Sequence, residues 1–285
     1  MVAWRKLGII AGGGELPVLL AEHCAAEGLD YFVARIEHMA DPALDAHPGA
    51  TLNLGAFGAR FAALKAAGVD TVVLIGQVPR PDIRTVKLDE HGMTMLPAIM
   101  AAAPKGDDAL LRVVLDEHQN AGFAVVGAEE VLADLKARSG AWGALTPNES
   151  QRADIAKAAR IAAAIGAFDI AQGVVVCDGL VLAVEAAEGT DKMLERVAAL
   201  PAALRGEPSA RRGVLVKRPK PIQERRIDLP VIGLKTLEGA ARAGLAGIAV
   251  EARGALVVRR GELIAAADRA GLFLFGFEPG DVGEA

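Results

Sequence analysis

Histidine is missing from the second half of this 285-residue chain: His23, His38, His47, His91 and His118 all fall in the first half. A histidine-based nucleophilic triad is thereby excluded from the second half, and a zinc site is disfavoured there. Any general base or metal ligand in that half must be a carboxylate. Cysteine is nearly absent, with Cys24 and Cys177 far apart in unlike contexts, which excludes a disulfide framework and fits a reduced compartment. No apolar run reaches the ~18 residues of a membrane span. The opening MVAWRKLGII has no apolar leader with a cleavage site, so a cytoplasmic protein is expected. An excess of positive charge is also lacking: the net charge is −5, and no nucleic-acid partner is expected. Aromatic residues are scarce at 4%, while hydrophobic residues reach 52% and alanine and glycine dominate. That profile suits helices packed closely on sheets.

What is present in the first half is alternation. Lys6–Ala11, Tyr31–Ile36 and Val69–Gln77 read as strands, and FAVVGAEEVL gives another. Helical spacing occupies Leu16–Glu27, Phe57–Ala67 and Asp108–Asn120, stopped by Gly28, Gly68 and Gly122. Continuous apolar strands separated by helices imply a parallel sheet covered on both faces. Residues 1–138 are therefore read as a Rossmann-like parallel-sheet domain. RSGAWGALTPN breaks the pattern and reads as a linker over 139–148. Thr146, Pro147 and Glu149 then suggest a capping box opening a helix to about Ile165. Residues 149–279 follow a different grammar, a mixed α/β domain with hairpins. One hairpin is expected at Asp178-Gly179 in QGVVVCDGLVLAVEA, and a second at Arg253-Gly254 in GIAVEARGALVVRR. Residues 280–285 read as a disordered tail.

Three of the first-half strands end in glycine: Gly12, Gly13 and Gly14; Gly76, before Gln77 and Arg80; and Gly127. Ligands of open parallel sheets bind beyond such carboxyl ends, so these residues are candidates for holding substrate phosphates. The run GIIAGGGELP lacks the Gly-Lys-Ser/Thr of an ATP loop and misses the GxGxxG spacing, although Glu37 follows the second strand. A helix N-terminus with bare amides still favours an anion. Close packing in a tight strand-to-helix turn is the plainer reading. The methionine-rich stretch with Met93, Met95 and Met100 reads as a core helix or as a flexible wall for an apolar ligand.

In the second half, EAAEGTDKMLERV gathers Glu185, Glu188, Thr190, Asp191 and Lys192. VKRPKPIQERRIDLPVIG gathers Lys217, Arg218, Lys220, Gln223, Glu224, Arg225, Arg226 and Asp228 in a segment stiffened by Pro219, Pro221 and Pro230. Carboxylates beside cations suit Mg²⁺-assisted phosphoryl chemistry, with Lys or Arg neutralising the transition state. A solvated loop of self-neutralising ion pairs would look similar, but it would not need the prolines.

Taken in order, GIIAGGGELP, GQVPRP, GDDALLR, EGTDKMLERV and KPIQERRIDLPVIG resemble the LpxI-type UDP-2,3-diacylglucosamine pyrophosphatases of lipid A biosynthesis. The resemblance covers nearly the whole chain. It implies a Rossmann-like domain followed by a hydrolase domain, and Mg²⁺-dependent water attack on the α-phosphorus of UDP-2,3-diacylglucosamine. The products would be UMP and 2,3-diacylglucosamine 1-phosphate. Asp228 matches the family's essential aspartate and takes the role of Mg²⁺ ligand or water activator. The family often has Asp where this chain has Glu224, so a carboxylate is retained. The expected catalytic set is Asp228, Lys220 and Glu188. Thr190, Lys217 and Gln223 join the glycine loops in binding substrate, and Asp228, Asp191 and Glu224 are the expected metal ligands. Peripheral membrane contact follows from a lipid substrate, and a homodimer is left open. A nicotinamide oxidoreductase, resting on the glycine turn and Glu37, and a non-catalytic nucleotide-sugar binding module are the alternatives.

Overall fold

The first-half strands assemble as their unbroken apolar runs require. In the computed structural model, which describes residues 4–79, 81–82, 84–170 and 172–283, Met1–Ala133 forms one compact unit and Asp134–Ala285 a second. The first unit holds β1 (Leu7–Ala11), β2 (Tyr31–Ile36), β3 (Gly49–Leu52), β4 (Thr71–Ile75) and β5 (Ala124–Val125). All pair in parallel in the order β3-β2-β1-β4-β5. Its helices are α1 (Glu15–Ala26), α2 (Phe57–Ala66), α3 (Glu90–Ala102), α4 (Asp107–Asn120) and α5 (Ala128–Val131). Gly28, Gly68 and Gly122, at φ of 66°, 77° and 95°, follow the ends of α1, α2 and α4 in the left-handed conformation that glycine tolerates. The chain winds outward through β1, β2 and β3 and then returns to β4. The switch point therefore lies between β1 and β4, and the glycine-tipped ends of β1, β4 and β5 share one edge.

The second unit holds β6 (Gly140–Ala141), α6 (Glu149–Gly166), β7 (Gly173–Cys177), β8 (Leu180–Val184), α7 (Gly189–Ala198), β9 (Val214–Lys217) and β10 (Val231–Ile232). It continues with α8 (Leu234–Arg242), β11 (Gly247–Glu251), β12 (Leu256–Val257), α9 (Arg260–Ala270) and β13 (Phe273–Phe277). A six-stranded mixed sheet runs β6-β13-β11-β9-β7-β8, with β9, β11 and β13 parallel at its centre. Period-two alternation splits its side chains between two cores. Val175, Leu215, Ile248, Val250 and Leu274 pack under α7, α8 and α9 through Leu194, Leu237 and Leu263. On the other face Val174, Val176, Val214, Val216 and Phe275 pack on Ile155, Ala158, Ala159 and Ala162 of α6. The small alanines let that helix lie close to the sheet.

Four expectations change here. Residues 139–148 are not a bare linker, because β6 pairs antiparallel with β13 and belongs to the second sheet. The cap of α6 is Asn148, not Thr146: the Asn148 side chain accepts the Gln151 amide at 2.9 Å and Gln151 returns the bond at 2.9 Å. The Asp178-Gly179 hairpin forms between β7 and β8, with φ of 48° and 78° at its two turn residues. The second expected hairpin does not: β11 pairs with β9 and β13, while β12 leaves to pair in parallel with β10. Pro279–Val282 is a short 3-10 helix that buries Val282, so the chain stays ordered past residue 280. The last two residues lie outside the described set. The α3 helix is neither wholly core nor wholly wall, since Met95 is buried while Met93 and Met100 are exposed.

Candidate active site

The polar residues of the second unit collect at one edge of its sheet. β9 and β11 end there, β7 begins there, and β8 delivers the segment that opens α7. This is the carboxyl edge of the parallel strands, where a ligand meets loops rather than packed side chains. β9 ends at Lys217, and Arg218 and Lys220 follow; all three are buried. A buried cation is costly unless partnered, and the partners are explicit. Arg218 lies 2.9 Å from Glu251 and donates to the Ala159 carbonyl at 3.2 Å. Lys220 forms an ion pair with Asp169, itself in the left-handed region at φ 60°.

Lys217 is held differently. Its ammonium donates to the Thr190 hydroxyl at 2.7 Å and to the Val231 carbonyl at 3.3 Å, both neutral oxygens. Thr190 passes the bond on, donating to Glu185 Oε1 at 2.7 Å. The positive charge therefore sits one hydroxyl away from the nearest carboxylate of this chain of bonds.

Asp228 follows in the loop after β9. Its Oδ2 accepts the side-chain amide of Gln223, and that of Gln172 at 3.4 Å; its own N–H donates to the Glu224 carbonyl at 3.2 Å. Glu224 is clasped by both guanidinium branches of Arg226 at 2.9 Å. Arg225, more than half exposed, reaches Glu251 at 3.4 Å. Glu188 pairs with Arg196, and Asp191 with Lys235 at 2.6 Å. Bonds from its own backbone amide and from Arg196 hold the Glu188 carboxyl below the usual carboxylate range. Asp191 in turn raises the Lys235 ammonium.

These partners revise the expected assignments. Among the described residues, no three His, Cys, Asp or Glu side chains form a group that could hold a metal ion. The expected trio of Asp228, Asp191 and Glu224 is not gathered into a cage, because Asp191 and Glu224 are each drawn to their own cation. A Mg²⁺ ion needs only one or two carboxylates when waters and substrate phosphates complete its shell. Asp228 offers a carboxylate of that kind, whereas both oxygens of Glu224 are held by Arg226. Lys220 and Glu188, expected to be catalytic, are engaged by Asp169 and Arg196. Gln223, expected to touch phosphate, donates its side-chain amide to Asp228.

In the first unit the glycines are explained by backbone proximity. The Gly12 amide donates to the Ile75 carbonyl at 2.9 Å, and Gly13 and Gln77 exchange two bonds of 2.8 Å. A Cβ on Gly12 would lie 2.7 Å from the Gln77 carbonyl oxygen, and one on Gly76 would lie 2.7 Å from that of Gly13. The Gly127 amide is likewise spent, on Glu130 at 2.9 Å. Gly14, at φ 87°, precedes α1. The loops thus fasten the tips of β1 and β4 together at the switch point. Arg80 lies outside the described residues.

Sequence reading missed Gln172, Asp169 and Glu251. Gln172 and Asp169 meet the loop of 217–228 only through the pairing of β7 with β9, about fifty residues away in sequence. Glu251 did leave a trace, as a carboxylate closing the otherwise apolar strand GIAVE.

A family model described as the LpxI N-terminal domain matches residues 6–135, and one described as the LpxI C-terminal domain matches residues 138–275. The chain is 54% identical, over 275 residues, to the UDP-2,3-diacylglucosamine pyrophosphatase LpxI of Caulobacter vibrioides, covering 96% of this chain and 98% of that one. Among solved structures, a CobK precorrin-6A reductase is similar at 13% identity and a TM-score of 0.32, over 96% of this chain and 88% of that one. A likeness that slight supports no argument.

Proposed function

The chain belongs to the LpxI family and is a hydrolase, and from that premise we propose that it cleaves the diphosphate of UDP-2,3-diacylglucosamine with Mg²⁺. Water attacks the α-phosphorus, releasing UMP and 2,3-diacylglucosamine 1-phosphate. The observation that carries the reading is Lys217, a buried cation at the carboxyl edge of the sheet bonded to a hydroxyl and a carbonyl. A phosphate oxygen is the kind of partner its charge calls for.

The residues then divide the work. Lys217 neutralises negative charge that grows on the phosphoryl oxygens as the bond to water forms. Thr190 fixes the direction of its ammonium, and Glu185 fixes Thr190. Asp228 orients the nucleophile, either by taking a proton from the attacking water or by holding the ion. Asp228, with waters and substrate phosphates completing the shell, would hold Mg²⁺, which when bound polarises a phosphoryl oxygen and shields its charge. Arg225, exposed and steadied by Glu251, supplies a second cation to the diphosphate.

No helix among the described residues is long and apolar enough to cross a membrane. We place the enzyme in the cytoplasm, meeting its lipid substrate by peripheral contact with the membrane. The direct test mixes purified protein, Mg²⁺ and UDP-2,3-diacylglucosamine and follows UMP. Turnover that stops on chelation and returns with Mg²⁺ is expected. Hydrolysis in ¹⁸O water should label UMP, whereas label in the lipid phosphate would refute attack at the α-phosphorus. Binding without UMP formation at any Mg²⁺ concentration would indicate a binding module instead.

A further inference from the structure

We propose that Gln223 and Gln172 are positioning residues that fix the carboxylate of Asp228 for its part in the reaction. The inference rests on the reading of Asp228 given above. The orientation of the Gln223 amide is dictated from both ends. Its Oε1 accepts the Lys220 backbone N–H at 2.8 Å, and its Nε2 donates to Asp228 Oδ2. A flipped amide would set donor against donor at Lys220 and acceptor against acceptor at Asp228, so the chemistry permits one arrangement. Lys220 is a firm anchor for this purpose: Pro219 and Pro221 flank it, and its side chain is buried in the ion pair with Asp169.

Gln172 approaches the same oxygen from the sheet. Its carbonyl accepts the Arg218 N–H at 3.0 Å, which ties the residue to the start of β7 beside β9. Two amides, one rooted in the loop and one in the sheet edge, thus converge on Oδ2. Amide donors fix a carboxylate's rotamer and favour its ionised form, as a group that holds a cation or orients a water requires. Lys220 contributes to the site through its backbone amide, while its ammonium secures the turn at Asp169.

The two ends of the Gln223 side chain are separable by substitution. Gln223→Glu keeps an oxygen for the Lys220 N–H and removes the donor to Asp228. The expected result is a fall in kcat of about 10- to 100-fold, from the loss of one hydrogen bond to a charged group and the second carboxylate that then faces Asp228. The KM for UDP-2,3-diacylglucosamine should stay within about twofold and Tm within a few degrees of wild type. Gln172→Met removes the second donor without adding charge, and should lower kcat in the same selective way but less. Wild-type kcat in both variants overturns the proposal, as does a rise in KM at unchanged kcat, which would make these residues substrate contacts. Wild-type enzyme assayed in parallel separates the two levels of inference. UMP release by wild type with a selective fall in kcat in the folded variants supports the positioning role, and no release by wild type overturns the reading of Asp228 and this inference with it.

Discussion

Replacing Lys217 with methionine removes one buried charge while keeping the length of the side chain. At an effective dielectric constant of about 20, a unit charge about 4 Å from a phosphoryl oxygen contributes about 4 kcal/mol. If roughly half a unit of negative charge develops on those oxygens between ground and transition state, about 2 kcal/mol belongs to the chemical step. That corresponds to about a 30-fold loss in kcat, with the remainder appearing in KM. The vacated Thr190 hydroxyl keeps its bond to Glu185, and the Val231 carbonyl loses a 3.3 Å partner, so the fold should lose only about 1–2 kcal/mol. The assay is steady-state UMP release over a range of substrate, with thermal unfolding as control. A folded Lys217→Met enzyme with kcat/KM within threefold of wild type would refute the assignment of Lys217 to charge neutralisation.

Other consequences are simpler to read. Gly12→Ala drives a Cβ to 2.7 Å from the Gln77 carbonyl oxygen, rigid backbone on both sides, and should cost about 1–3 kcal/mol in a denaturant midpoint measurement; an unchanged midpoint would contradict the packing account of the glycine run. His118 is fully buried between Phe57 and Phe61, and burial pushes its imidazole down to about 4. The unfolded chain takes up that proton near the ordinary value of 6.5, so its contribution to stability is complete above about pH 6.5 and is lost as pH falls towards 4. His118→Phe should flatten that part of the urea-stability profile between pH 4 and 6.5; a slope identical to wild type would exclude His118 as its source.

Much of this architecture is written in local pattern, and its limits are specific. Apolar runs and their glycine stops locate β1, β2 and β4 and the helices α1, α2 and α4, because short apolar runs closed by glycine and separated by helical spacing mark the strands of a parallel sheet. Asp178-Gly179 declares its hairpin because both turn residues need positive φ. Arg253-Gly254 carries the same kind of turn signal, with Arg253 at φ 60°, yet the strand that follows finds β10 rather than β11. Turn chemistry is local, whereas partner choice is tertiary. The cap of α6 is Asn148 rather than Thr146, because Asn148 and Gln151 repeat the capping-box spacing two residues further on and form its two reciprocal bonds.

The candidate site divides in the same way. Asp228, Lys217 and Thr190 stand out as polar residues in apolar flanks, and the structure brings Lys217 and Thr190 into contact. Gln172 does not stand out, because one neutral amide at a strand start has no chemical signature until the fold sets it against Asp228. The glycine run suggested amides open to an anion, but the Ile75 carbonyl takes the amide of Gly12 and the Gln77 carbonyl that of Gly13. An amide's availability depends on its neighbours in space, which a run of three glycines does not disclose.

The central claim is that Asp228 carries the hydrolysis of a lipid-linked nucleotide diphosphate. The most direct measurement compares wild type and Asp228→Ala for UMP release from UDP-2,3-diacylglucosamine with Mg²⁺, alongside substrate binding and Tm. Release at background level by a variant that still folds and binds substrate is the predicted result. Turnover by that variant within tenfold of wild type would contradict the account.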